Sequence, residues 1–168
     1  MADPVRLCFV CLGNICRSPT AEGVMRHLVA EAGLTERIEV DSAGTAGWHE
    51  GDHADRRTRA EAQRRGIDLS ALRGRQFRAD DFARFDLVLA MDHDNLIDLA
   101  SMAPDDDARA SIELLRAFDP TADSDADLAV PDPYYGGADG FAAVFDMVDR
   151  ACWGLLDHVR TELLDPPA

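Results

Sequence analysis

The sequence predicts an α/β fold: one domain over residues 1–168, with a four-stranded parallel sheet flanked by helices on both faces. Three observations carry that expectation. Short apolar runs alternate along the chain with longer segments whose apolar residues recur at intervals of three and four. The run Leu87–Met91 is too continuously hydrophobic for a hairpin with one wet face, as expected of a strand covered on both sides. The 168 residues, 46% of them hydrophobic, are enough for one core and crowded for two.

The elements follow in order. Val5–Val10 reads as a buried strand in which Val5, Leu7 and Phe9 alternate with Arg6, Cys8 and Val10. Cys8 is then a small core residue; its C-x-x-C spacing to Cys11 invites a zinc reading, but no second such pair exists. After the loop from Cys11, Ser18 is placed to cap a helix, with Pro19 in its first turn and Val24, Met25, Leu28 and Val29 as its apolar stripe. Gly33 would end it. Ile38–Asp41 is the second strand, followed by a turn at Ser42–Thr45, and Ala54–Arg65 is helical in pattern and closed by Gly66. Leu87–Met91 is the third strand, Asp92 caps a short helix reaching about Ala100, and Ile112–Leu115 is the fourth strand. The acidic, proline-containing stretch from Asp119 to Asp132 reads as a loop, with Asp123, Asp125 and Asp127 solvated. Asp139 would cap the last helix, whose Phe141, Val144, Phe145, Val148, Cys152, Leu155, Leu156 and Val159 make a core face.

Composition narrows the function classes. The net charge is −15 and all 17 basic residues are arginine, which disfavours nucleic acid as the main partner because phosphate neutralisation needs a basic face. No stretch is apolar for long enough to span a membrane. The start, Met1-Ala2-Asp3-Pro4-Val5-Arg6, lacks the basic residues and long apolar run of a signal peptide, so the expected location is cytoplasmic. Four cysteines in such a chain are core residues, metal ligands or reactive thiols rather than a disulfide framework.

The segment Cys11-Leu12-Gly13-Asn14-Ile15-Cys16-Arg17-Ser18 holds the chemistry. It lies between a strand and a helix, where in a parallel sheet ligands bind at the carboxyl ends of strands. A loop closing onto a helix N-terminus can aim successive backbone N–H groups at one tetrahedral anion. A cysteine beside a helix N-terminus and an arginine is the kind of thiol that ionises readily and attacks. Arg17 offers a planar fork that binds two phosphoryl oxygens, Gly13 lets the backbone approach the anion, and Asn14 tolerates a left-handed conformation. Attack on phosphorus expels an oxygen that leaves well only when protonated. Asp132 is the candidate acid, stiffened by Pro131 and Pro133, with Tyr134 and Tyr135 as walls for an aromatic ring; an isolated Asp-Pro is also a common turn.

At this point the chain resembles a known family, the low-molecular-weight protein tyrosine phosphatases. Cys11–Pro19 is similar to the family signature, Asp41-Ser42-Ala43-Gly44-Thr45 to the segment after its second strand, and Asp132-Pro133-Tyr134-Tyr135 to its general-acid motif. The resemblance implies a protein tyrosine phosphatase in which Cys11 is the nucleophile forming a phosphocysteine, Arg17 binds the phosphoryl group, and Asp132 is the acid that later activates water. It implies that Leu12, Gly13, Asn14, Ile15, Cys16 and Ser18 hold the phosphate, that Asn14, Ser18 and Ser42 hold the loop with the Ser18 hydroxyl steadying the thiolate, and that Trp48, Tyr134 and Tyr135 line the approach. The plainer alternative for Trp48 is an ordinary partly buried aromatic. Cys16 would be a redox partner able to form a reversible disulfide with Cys11, the plainer alternative being a packed thiol. No cofactor and no metal are needed, the partners are phosphotyrosine-containing proteins, with no nucleic acid and no membrane, and the protein is expected to be a monomer.

Rival readings remain. His49-Glu50-Gly51-Asp52-His53 matches the H-E-x-x-H pattern of zinc proteases, which needs a helix that Gly47, Gly51 and Asp52 disfavour. Arsenate reductases of the same fold relay oxidation through further cysteines, and none lies between Cys16 and Cys152. Protein arginine phosphatases of the family carry threonine where this chain has Ile15. A phosphotyrosine-binding module would bind without turnover.

Overall fold

A computed structural model describes residues 2–124 and 128–165, so Asp125 and Asp127 of the acidic stretch lie outside the described residues. The strands are β1 (Val5–Cys11), β2 (Ile38–Gly44), β3 (Leu87–Ala90) and β4 (Ile112–Leu114). They pair in parallel in the order β2-β1-β3-β4. The helices are α1 (Arg17–Glu31), α2 (Arg56–Arg64), α3 (His93–Met102), α4 (Asp106–Ala110) and α5 (Ala138–His158). None of them is long and apolar enough to cross a membrane.

The alternation expected in β1 divides the core. Val5, Leu7, Phe9 and Cys11 face a cluster with α1, α2 and α5, whereas Cys8 and Val10 face a second cluster with Val88, Ala90 and Leu99. Both faces of the sheet are therefore covered, and Cys8 and Cys152 are buried core residues as expected. From β1 the chain crosses first to β2 on one side and then to β3 on the other. The loop after β1 thus opens at the point where strand order reverses, the crevice that α/β sheets use for ligands.

Several expected boundaries move, each for a physical reason. Ser18 does not cap α1: Cys16 is the N-cap residue and makes no side-chain cap, while the Ser18 hydroxyl turns back toward Cys11. Asp139 does not cap α5 either; Gly137 stands there, and Asp139 falls in the first turn, still placed well for the helix dipole. β2 continues through Ser42–Gly44 because the segment after Gly74 runs alongside it, Gly44 N–H donating to Arg75 O and Phe77 N–H to Gly44 O. α4 and the 3-10 turns Ala79–Ala83 and Leu115–Phe118 had no periodic signal strong enough to announce them. Asp92 and Gly66 behave as expected: Asp92 accepts from Asn95 N–H at 2.8 Å, and Gly66 closes α2 with φ of 81°.

The acidic stretch is not uniformly solvated. Asp123 is exposed, but Asp119 is buried, with Arg116 Nε at 3.3 Å and Arg150 Nε at 3.6 Å. Burial pushes its carboxyl up, yet hydrogen bonds from the Thr121 N–H and hydroxyl, with the two arginines, outweigh that and hold it below the ordinary aspartate value.

Two predictions follow from this packing. A Cβ on Gly154 would lie 1.8 Å from the Phe118 carbonyl oxygen, so α5 packs on the Leu115–Phe118 turn at backbone contact. Alanine would gain about 1 kcal/mol of helix propensity, but overpacking against backbone costs about 1–3 kcal/mol and more where nothing can yield. Gly154→Ala should lower stability in urea unfolding; an unchanged or raised midpoint would refute the close approach. Because the Asp119 carboxyl is depressed on folding, its contribution is present above about pH 4 and is lost as acid protonates it. Asp119→Asn should therefore destabilise the protein at pH 7 and flatten the loss of stability below about pH 4, measured by thermal melts across pH.

Candidate active site

β1 ends at Cys11 and α1 begins at Arg17, leaving a short loop whose shape rests on Asn14. Asn14 has φ of 58°, and among the described residues no other non-glycine residue has a positive φ. Its carboxamide orientation is set by its neighbours. The Arg75 N–H can only donate, at 3.0 Å, so Oδ1 is the acceptor and Nδ2 the donor. Nδ2 donates to Ser18 Oγ at 2.8 Å and to Ser42 Oγ at 3.0 Å. Ser42 in turn donates to Glu22 Oε1 at 2.7 Å. With its oxygen already accepting from Asn14, the Ser18 hydroxyl has its proton free for Cys11 Sγ, 3.0 Å away; the Ala43 carbonyl is a poorer acceptor at 3.4 Å. The chain of donors therefore runs toward the sulfur.

The base of this network is buried. Glu22 is raised above the usual glutamate value by burial, opposed by the Ser42 hydrogen bond and by Arg26, whose guanidinium lies at 2.7 Å. β2 passes directly beneath the loop: a Cβ on Gly44 would sit 2.7 Å from Leu12 O, so only glycine fits. The N–H groups of Thr45 and Ala46 donate to the carbonyls of Cys11 and Leu12. Since Cys16 makes no side-chain cap, the first N–H groups of α1 remain open to a ligand.

Arg17 is 3% exposed and held from three sides. Nη1 donates to Asp92 Oδ2 at 2.5 Å and to Val130 O at 3.0 Å, and Nη2 lies 3.8 Å from Asp132 Oδ2. Burial opposes its charge, but the Cys11 sulfur and the Asp92 hydrogen bond more than compensate and raise its pKa further. The Asp132 side chain is 39% exposed, with Oδ1 accepting from Tyr134 N–H at 3.0 Å. Arg57, paired with Asp55, donates to Tyr134 O at 3.1 Å and stacks on the rings of Tyr134 and Phe141 at 5.4 and 4.6 Å. Arg57 thereby ties the Asp132 segment to the start of α2.

These parts enclose a cleft of about 170 Å³. Cys11, Leu12, Gly13, Ile15, Cys16 and Arg17 form its base, and Trp48, His49, Asp132, Tyr134 and Tyr135 its sides. Asn14, Ser18 and Ser42 lie beneath the loop rather than on the cleft wall, as braces. Trp48 is 73% exposed and so is not a partly buried structural aromatic; it stands at the rim opposite Tyr134 and Tyr135, whose rings meet edge to face at 4.9 Å. Cys16 is buried in the cleft base, its thiol pushed up to about 12 by burial, which outweighs a hydrogen bond with Thr58. Both Cys11 and Cys16 are free thiols.

The H-E-x-x-H segment forms a turn, not a helix. Gly51 has φ of 83°, His49 Nδ1 meets Asp52 at 3.1 Å, and His53 bridges to Arg73, so the two histidines share no helix face. Asp92, the Val130 carbonyl, Glu22, Arg75, Arg57 and His49 were missed as site residues. Asp92 showed only its helix-capping signature, and the others join the site through contacts across 20 to 113 positions of chain.

The family profile described as low molecular weight phosphotyrosine protein phosphatase matches residues 6–164. The chain is 51% identical over 158 residues to a low molecular weight protein-tyrosine-phosphatase of Streptomyces coelicolor, covering 94% of this chain and 95% of that one. A crystal structure of a protein tyrosine phosphatase from Entamoeba histolytica with Hepes in its active site superposes with a TM-score of 0.87 at 40% identity, over 93% of this chain and 97% of that one. The structure of a Drosophila arginine phosphatase is also similar, with a TM-score of 0.82 at 32% identity, over 93% and 98% of the two chains. A small cleft with a buried cysteine and arginine, a matching four-stranded sheet and agreement over nearly the whole length lead to one conclusion: this chain belongs to the low molecular weight phosphotyrosine protein phosphatase family, a family of cysteine-dependent hydrolases.

Proposed function

We propose that this protein hydrolyses phosphotyrosine in proteins through a phosphocysteine on Cys11, with Arg17 binding the phosphoryl group and Asp132 as general acid and base. The observation that carries this reading is the convergence of Cys11, Arg17 and Asp132 on one small cleft, with Ser18 aimed at the sulfur. A thiolate accepts that hydroxyl more strongly than a thiol does. In the first step Sγ forms a bond to phosphorus, the P–O bond to the phenol breaks, and the Asp132 carboxyl gives its proton to the departing oxygen. In the second step the Asp132 carboxylate takes a proton from water, the oxygen bonds to phosphorus, the S–P bond breaks, and inorganic phosphate leaves. The loop N–H groups and the Arg17 fork meet the charge that builds on the equatorial oxygens.

Substrate class follows from the walls and the leaving group. A phenol of pKa about 10 departs more easily than an aliphatic alkoxide, and Trp48, Tyr134 and Tyr135 offer flat surfaces to a ring at the cleft mouth. The likeness to an arginine phosphatase raises a second reading, phosphoarginine hydrolysis, against which Ile15 stands in place of the threonine associated with that activity. Cys16 is assigned as the redox partner of Cys11, and the protein is read as a cytoplasmic monomer acting on phosphoproteins, the net charge of −15 repelling nucleic acid.

Three outcomes test this reading. Cys11→Ser should reduce turnover of p-nitrophenyl phosphate and of a phosphotyrosyl peptide to background, and full retention would end the assignment. Asp132→Asn should lower kcat by about 10²–10⁴-fold for the tyrosine phenol and by much less for a very acidic phenol, which leaves without a proton; equal losses for both would remove Asp132 from the acid role. Arg57→Ala should lower kcat by about tenfold, within the ~10²-fold that a 1 Å misplacement of a catalytic group brings. That loss should also shrink as the leaving phenol becomes more acidic. A parallel assay on a phosphoarginyl peptide separates the two substrate readings.

A further inference from the structure

A second depression adjoins the catalytic cleft. This groove of about 450 Å³ shares Leu12, Arg17 and Asp132 with the cradle and extends along the exposed side of α3. Asp94, Ile97 and Asp98, three and four residues apart, stand on one solvent-facing stripe of that helix. Ile97 is 62% exposed and Leu12 37%, so an apolar strip begins at the cradle and ends at two carboxylates.

Several acidic side chains elsewhere carry an arginine: Glu39 has Arg6, Glu61 has Arg64 and Arg65, Asp106 has Arg109, and Asp146 has Arg65. Among the described residues neither the Asp94 nor the Asp98 carboxylate meets a cation, and Arg17, the groove's one arginine, is already engaged by Asp92 and Asp132. Independently, Asn95 lines the same groove at 2% exposure, and its Oδ1 is buried with no hydrogen-bond partner. A buried carbonyl acceptor left open is costly unless a donor reaches it.

We propose that this groove is the subsite for a lysine or arginine side chain flanking the phosphotyrosine of the substrate, an inference that rests on the phosphatase reading above. A long basic side chain suits each part: its aliphatic stem covers Leu12 and Ile97, and its charged head reaches Asp94 and Asp98 with a donor to spare for Asn95. An acidic or short polar neighbour leaves the apolar strip wet and the carboxylates unpaired. The groove thus selects among phosphotyrosyl sequences, while the cradle selects the phosphoryl group.

The test uses phosphotyrosyl peptides that differ only in carrying lysine, alanine or glutamate beside the tyrosine, with p-nitrophenyl phosphate as the probe of the cradle alone. Wild type should show kcat/KM about tenfold higher for the lysine than for the glutamate peptide at low salt, the sum of a few exposed pairs, and the ratio should contract in high salt. Asp94→Asn with Asp98→Asn should bring the ratio close to two, and Asp94→Lys with Asp98→Lys should invert it. A control pair at and just beyond the C-terminal end of α5, Asp157→Asn with Glu162→Gln, should leave the ratio as in wild type, which separates the groove from the general effect of net charge. A ratio near one in wild type, or one that the control pair reduces as much as the α3 pair does, overturns the subsite. Failure to hydrolyse even p-nitrophenyl phosphate would instead overturn the phosphatase reading, and the subsite with it.

Discussion

The Asn14 carboxamide is the fixed point on which the site is built. Its backbone takes a left-handed turn that brings the loop back toward the start of α1, and its side chain ties that turn to three separate segments: Ser18 in α1, Ser42 in β2 and the Arg75 backbone. A carboxamide carries donors and an acceptor on one rigid plane, so satisfying all three contacts leaves it a single orientation. That orientation decides where the two serine hydroxyls send their protons, one to Glu22 and one to the Cys11 sulfur. An aliphatic residue at position 14 would strain the turn and also leave these hydroxyls unordered.

Charge is arranged with the same economy. Arg17 is buried, and a buried guanidinium is tolerable only when its donors are met. Asp92 and the Val130 carbonyl meet one nitrogen, while the other faces Asp132 and the cleft. Asp92 also caps α3, so the element that anchors the arginine is anchored in turn by its own helix terminus. The N-terminal end of α1 receives no side-chain cap, because Ser18, the residue whose type suggests one, faces the sulfur instead.

Burial falls off from base to rim. The loop base is buried among α1, β2 and the Arg75 segment, whereas Trp48 and Tyr135 stand out into solvent and Asp132 sits on a proline-flanked segment secured through Tyr134 and Arg57. The loop and its braces are therefore fixed by packing from several sides, and the rim side chains are surface features. The apolar strip and unpaired carboxylates of α3 belong to this outer layer, where a side chain can be changed without disturbing the core.

How much of this was legible in the sequence depended on the range of the interaction. The β1 alternation, the four parallel strands, the cap at Asp92 and the left-handed Asn14 are local consequences of residue type and spacing, and they were readable because a strand, a cap or a tight turn is decided within a few residues. The Cys11–Arg17 loop was legible for the same reason, all its parts lying in one short segment. Other features came only with tertiary structure: Gly44 passing under Leu12, Asp119 withdrawn from an acidic loop to meet Arg116 and Arg150, and Asp92, Arg57 and Glu22 entering the site. Each depends on which distant segments the parallel sheet brings side by side, and that adjacency is set by packing both faces of the sheet rather than by any local pattern.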